Sequence, residues 1–265
     1  MRRAYIRNQF VTSISRKLGF CLINKTVTAS TTNSLTGRCH LTSKAVTKTK
    51  HELLTANIEW SRKHVAAARN LLNSLFLKKQ EHSRADLRNA GLIISRWVEE
   101  SKRNRKDISC DGLLGIFHQV LKSMKVSKDF DAQEAIRLLN KMEMISDETE
   151  RPDVVAYSMA LNIIAGTSGL TNNKTASLSE EIFLRCLEKE SDDTWFWNSY
   201  LHVLSKCKLV DKSEEILGEM IRLNISDSMS FNLVLHTLAN NSQPVRAQAL
   251  LQRMLNSQAQ VTQGM

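Results

Sequence analysis

Residues 193–226 read DTWFWNSYLHVLSKCKLVDKSEEILGEMIRLNIS, and residues 227–255 read DSMSFNLVLHTLANNSQPVRAQALLQRML. Laid one under the other, the two lines share a pattern. In the first, Trp197, Leu201 and Leu204 form an apolar stripe, followed after a short link by Ile216, Leu217, Met220 and Ile221. Thirty-four residues on, it returns as Phe231, Leu235 and Leu238, then Leu250, Leu251, Met254 and Leu255. Spacings of i, i+4, i+7 and i, i+1, i+4, i+5 place each set on one face of an α-helix. Each unit is therefore expected to be a helical hairpin with one buried face on each helix.

The register extends upstream. Tyr157, Leu161 and Ile164 repeat the first stripe, and Ile182, Phe183, Cys186 and Leu187 the second, with a longer link after Gly166. A small residue stands seven places before Cys186, Met220 and Met254, namely Ser179, Ser213 and Ala247, and lets neighbouring helices approach. Ala135 before Met142 and Ala90 before Trp97 keep the same offset. A period in the thirties built on paired helices predicts an all-α fold, a right-handed α-solenoid in which each hairpin buries its apolar face by stacking on the next. With only two prolines and nine glycines, the chain also lacks the turn residues that a hairpin-rich β fold needs.

These residues resemble the pentatricopeptide repeat (PPR) family. The first-helix aromatic is followed at once by a small polar residue in Tyr157-Ser158, Trp197-Asn198 and Phe231-Asn232, and an aspartate precedes it at Asp153, Asp193 and Asp227. The second helix carries the small residue, the aliphatic pair and, in its last copies, the Met. The resemblance covers residues 153–255 well, 108–150 loosely and 51–107 hardly. It implies that the polar residue after the aromatic and the residue just ahead of the next repeat together contact one base of a single-stranded RNA. Carried over, that gives Ser158 with Asp193, resembling a reader of G, and Asn198 with Asp227, resembling a reader of U. Asn232 is left without a clear downstream partner. Val155, Trp195 and Met229, two places before each aromatic, take the positions that pack against base faces. A bland alternative stands beside this one: Ser158, Asn198 and Asn232 as first-turn residues and the aspartates as helix caps.

Charge divides the chain. Residues 1–50 hold ten Lys or Arg, fourteen Ser or Thr and no acid, the composition of an organelle transit peptide, so a disordered mitochondrial targeting segment is expected, with a plastid as the alternative. Residues 51–107 carry twelve basic against seven acidic side chains and read as N-terminal capping helices, ending in the basic run Lys102, Arg103, Arg105 and Lys106. That run is either a place for an RNA backbone to pass or a solvated loop. Residues 108–152 read as a degenerate hairpin anchored on Leu113, Phe117 and Val120; with Leu113 at the aromatic position, the next residue is Leu114, which reads no base. Residues 153–255 form three PPR-like repeats, and 256–265 a polar C-terminal tail. Across 108–265 the balance is fifteen basic to twenty acidic, so the formal +10 belongs to the leading segment and not to the repeats.

Catalytic signals are few. Cys21 and Cys39 lie in the leading segment, and Cys110, Cys186 and Cys207 make no CxxC and have no His pair at metal spacing. No metal, cofactor or catalytic group is expected, no stretch is long enough to span a membrane, and DNA is not an expected partner. Two functions remain: a non-catalytic organellar RNA-binding repeat protein acting in RNA processing, stability or translation, or a helical scaffold in a mitochondrial complex that holds a protein partner such as a ribosomal component.

Overall fold

The computed structural model describes residues 43–55, 59–76, 82–127, 132–189 and 192–263. Among these there are eleven α-helices, one short 3-10 turn at Glu148–Glu150 and no strand. The helices are α1 (Ser43–Leu54), α2 (Arg62–Phe76), α3 (Arg84–Arg103), α4 (Leu113–Val126), α5 (Ala132–Glu143) and α6 (Val154–Gly166). They continue as α7 (Asn172–Leu187), α8 (Thr194–Lys206), α9 (Val210–Leu223), α10 (Ser228–Asn240) and α11 (Pro244–Gln263). The chain divides into two compact units, one ending at Ile163 and the other resuming at Ile164.

In the first unit α3 is the central element, packing on α1, α2, α4 and α5. Its own sequence explains that position: Leu87, Ala90, Ile93, Ile94, Trp97 and Val98 are all fully buried, a stripe too broad for one neighbour to cover. Ser83 starts the helix by accepting the Asp86 amide at 3.2 Å, and Trp97 finds a partner for its indole N–H in the Ser109 carbonyl at 2.9 Å. The unit boundary falls inside α6 and not at 152/153, where the repeats were expected to begin. The tie is local: Tyr157 of α6 donates its hydroxyl to Glu143 at the end of α5, and Asp153 just before α6 bonds His118 of α4.

The second unit shows the expected hairpins. Connections of three residues, 207–209 and 241–243, fold α9 back on α8 and α11 back on α10, while α10 also packs on both α8 and α9. Trp197, Leu201, Leu204, Ile216, Leu217 and Met220 are buried, as are Ser179 and Ser213 where small residues were expected. Between α7 and α8 the Phe183 ring stacks on Phe196 and Tyr200, with centroids 5.2 and 4.1 Å away, and meets Trp197 edge-on at 5.1 Å. Aromatic pairs of this kind contribute roughly 0.5–1.5 kcal/mol each beyond their buried area.

Both hairpin turns close alike. Leu209 donates its amide to Leu204 O and Gln243 to Leu238 O, each at 3.0 Å, around Lys208 and Ser242 in the left-handed conformation, with φ of 60° and 54°. This is a Schellman closure with a side chain where glycine is usual.

Three sequence expectations need correction. Helix α1 begins at Ser43, inside the stretch 1–50 expected to be disordered, with Leu53 of the same helix buried; residues 1–42 lie outside those described. The polar tail 256–265 is helical as far as Gln263, continuing α11 with no Gly or Pro between Val245 and Gln263 to break it. The last apolar stripe is only partly covered: Leu250 is buried, but Leu251 and Leu255 are 45% and 52% exposed. No later hairpin of the described residues covers them.

Candidate nucleic-acid interface

Burial of Phe196, Trp197 and Tyr200 fixes the rotation of α8 and brings Asn198 against the start of α10. There Asp227 caps α10 by accepting the Ser230 amide at 2.8 Å, while the Ser230 hydroxyl accepts the Asp227 amide at 3.1 Å, a reciprocal capping box. Asn198 joins the box from the neighbouring hairpin: its Nδ2 donates to Asp227 Oδ1 at 3.1 Å, and its Oδ1 accepts from Ser230 Oγ at 2.7 Å. An asparagine amide has two N–H groups and a carbonyl with two lone pairs. These contacts use one of each and leave one donor and one acceptor. Burial pushes the Asp227 carboxyl up, but the Ser230 amide, the Asn198 amide, the Ser230 hydroxyl and the Met229 amide together outweigh it and hold the group below the ordinary carboxylate range.

Beside this joint Trp195 and Met229 are left in solvent, and Val155 holds the same register position in the first unit. Val155, Trp195 and Met229, each second in its helix, are 37%, 49% and 56% exposed. In each case the next two residues inward, Ala156 and Tyr157, Phe196 and Trp197, Ser230 and Phe231, are buried, so the helix register itself turns the preceding residue outward. An exposed Trp and Met near a hydrogen-bonding amide that is itself only 7% exposed offer apolar surface that suits a flat heteroaromatic ring.

Residues 195–225 match the family model of the PPR repeat. This hairpin is a PPR repeat. The matched segment spans α8 and α9 and stops two residues short of Asp227, so it contains Trp195 and Asn198 and ends at the joint. Neither the curated proteins nor the solved structures include a match to the chain.

The other expected reading residues of the PPR array are placed less uniformly. Ser158 is fully buried and its hydroxyl donates to Val154 O of its own helix at 2.9 Å, so it presents no free group. Asp193 caps α8 by accepting the Phe196 amide at 2.8 Å. Ser158 belongs to the first unit and Asp193 to the second. Asn232 is exposed on α10.

A fourth position was missed in the sequence. Ile116, Phe117, Val120, Leu121 and Met124 are buried on α4 in the order in which Phe196, Trp197, Tyr200, Leu201 and Leu204 are buried on α8. Phe117, not Leu113, is therefore the aromatic of the degenerate repeat, and the residue after it is His118, not Leu114. His118 Nε2 meets Asp153 Oδ1 at 2.8 Å, while Asp153 caps α6 by accepting the Ala156 amide at 2.9 Å. Burial raises the Asp153 carboxyl, and the bonds from His118 and Ala156 more than reverse it. The signal was available: Phe117-His118 stands forty residues before Tyr157-Ser158, which stands forty before Trp197-Asn198.

The described residues hold no cluster of three or more His, Cys, Asp or Glu placed to bind a metal, and no helix long and apolar enough to cross a membrane. Cys110, Cys186 and Cys207 are buried thiols in no disulfide among the described residues; burial pushes Cys110 and Cys207 up, away from the thiolate form that reacts.

Proposed function

We propose that the protein binds single-stranded RNA in an organelle, by its composition the mitochondrion, and acts in RNA processing, stability or translation without chemistry of its own. The observation that carries this is the Asn198–Asp227 contact between successive hairpins, bracketed by the exposed side chains of Trp195 and Met229. A base lying against those side chains turns its edge to Asn198. The donor and acceptor that Asn198 retains complement the N3–H and neighbouring carbonyl of uracil, and Asp227 holds the amide in place so that little side-chain freedom is lost on binding. One such contact discriminates by about 1–3 kcal/mol on the scale known from DNA readout. So short an array recognises a base or two, not a transcript, and selectivity for one message requires a further contact or a partner.

The test is a titration of the protein against single-stranded RNAs that contain GU in varied context, beside Asn198→Ala and Asp227→Ala. Weakening confined to changes at U supports the reading. Equal binding to every RNA, or none, favours the protein-scaffold alternative, which the acidic balance of residues 108–265 suits. Residues 1–50 fused to a reporter are expected to direct it to mitochondria; a cytosolic or secreted reporter rejects that part of the proposal.

A further inference from the structure

The repeats carry more acids than bases, yet a polyanion such as RNA is held largely by cations that displace its counterions. The cations have to come from elsewhere in the chain, and the first unit gathers them. The turn 104–107 after α3 lies beside the start of α2, because Arg62 Nη2 reaches Asp107 Oδ1 at 3.1 Å. That contact places the first turn of α2, which also carries Lys63, beside the turn that carries Arg105 and Lys106. All three are exposed and make no ion pair among the described residues. Of the acids there, Asp107 is bonded to Arg62 and Glu100 to Arg103, while Glu59 ahead of α2 and Asp111 after the turn are exposed and oppose them.

The turn is held at both ends. The Asn104 amide bonds Glu100 O at 2.9 Å, the Ile108 amide bonds Asn104 O at 3.0 Å, Ile108 is buried, and the Ser109 carbonyl holds the Trp97 indole. The cations project from fixed backbone and not from a loose tail, so little backbone order remains to be lost when they bind.

We propose that Lys63, Arg105 and Lys106 form a phosphate-contact surface for the backbone of single-stranded RNA. It is a sequence-independent contact, and as an RNA contact it rests on the RNA-binding reading above. Lys63 and Lys106 carry charge with no planar edge matched to a base, and Arg105 meets phosphate through its charge, so the contribution expected of the three is the same for every RNA.

The experiment measures affinity of the full chain for a GU-containing 20-mer and for a GU-free 20-mer across a salt series. It compares wild type, Lys63→Gln/Arg105→Gln/Lys106→Gln, and a control of equal charge change at the exposed Arg84, Arg88 and Arg137, also to Gln. At about 0.7 per phosphate contact, losing three contacts makes the slope of log K against log salt shallower by about 2, so going from 50 to 200 mM salt weakens wild type about sixteen-fold more than the variant. The change is expected equally for both RNAs, with unaltered thermal melting and a much smaller effect of the control. A slope unchanged in the first triple variant, or changed alike in both, overturns the proposal while leaving base reading intact. Wild-type binding that is indifferent to GU but lost in the triple variant keeps this surface and overturns base reading. No binding of either RNA by wild type overturns both.

Discussion

Asp227 at the start of α10 and Asp153 at the start of α6 occupy the same place in different units, and each does two things at once. Each accepts the amide three residues on, at 2.8 and 2.9 Å, and each takes a side-chain bond from the residue after the buried aromatic of the preceding first helix, Asn198 in one and His118 in the other. Capping and pairing were weighed as alternatives on the sequence; the two joints show one carboxylate oxygen serving both. They differ in what surrounds the bond. Ser230 closes a box around Asp227 and also fixes the Asn198 carbonyl, whereas the equivalent Ala156 has no hydroxyl, so His118 and Asp153 hold each other without a third side chain. The first joint is an amide locked at both ends, and the second an imidazole held at Nε2 with Nδ1 available.

If the two joints are equivalent, removing the aromatic beneath each is the largest perturbation. Trp197→Ala and Phe117→Ala both empty fully buried sites and are expected to cost about 3–5 kcal/mol each in urea denaturation. A loss under about 1 kcal/mol at Phe117 would break the register that assigns His118 its place.

Removing the carboxylates comes next. Loss of an N-cap costs about 0.5–2 kcal/mol, and Asp227→Ala is expected to lie at the upper end because it also strips a partner from buried Asn198. Asp153→Ala should cost less, since His118 keeps more access to water. Equal losses would show that the Ser230 box adds nothing.

Acid should weaken both joints in the same sense. Both carboxyls are held below their unfolded value, so the stability they contribute is fully present above the ordinary carboxylate pKa of about 3.9 and is lost as pH falls through the lower folded value. Thermal melts of wild type should drop over that window, and Asp227→Asn should flatten part of the drop. An unchanged profile would mean that other groups govern acid unfolding.

The smallest effect sharpens the comparison most. Ser230→Ala gives the α10 joint the residue that α6 has at Ala156, and is expected to cost about 0.5–1.5 kcal/mol. It should also loosen discrimination at U by freeing the Asn198 carbonyl, which the RNA titration reads directly.

The hairpins were legible because burial on a helix leaves a period that no other structure shares: Trp197, Leu201, Leu204, Ile216, Leu217 and Met220 were all expected in the core and are there. The exposure of Val155, Trp195 and Met229 follows from the same register. His118 was not found because α4 begins without a local cap. Its N-cap is Gly112 in the left-handed conformation, and its first amides are held from a distance, Gly112 by Glu150 Oε1 at 2.7 Å and Leu114 by Glu150 Oε2 at 2.8 Å. With no aspartate four places before Phe117, where the later repeats have Asp153, Asp193 and Asp227, the apolar stripe was anchored one turn early, on Leu113. The burial of Ser158 was illegible for another reason. A serine hydroxyl can satisfy itself on the carbonyl four residues back, as it does on Val154, and nothing in the sequence separates that rotamer from an outward one.

The turns at Lys208 and Ser242 offer a practical handle. Each keeps a β-carbon in a left-handed conformation that costs an ordinary residue about 1 kcal/mol, an expense that glycine avoids. Lys208→Gly and Ser242→Gly alter neither Asn198, Asp227, Trp195 nor Met229, and both lie at the far ends of their helices from those residues. Together they would provide a sturdier parent molecule in which damaging changes at the joints can be assayed for RNA binding while the protein still folds, so that lost recognition can be told apart from lost structure.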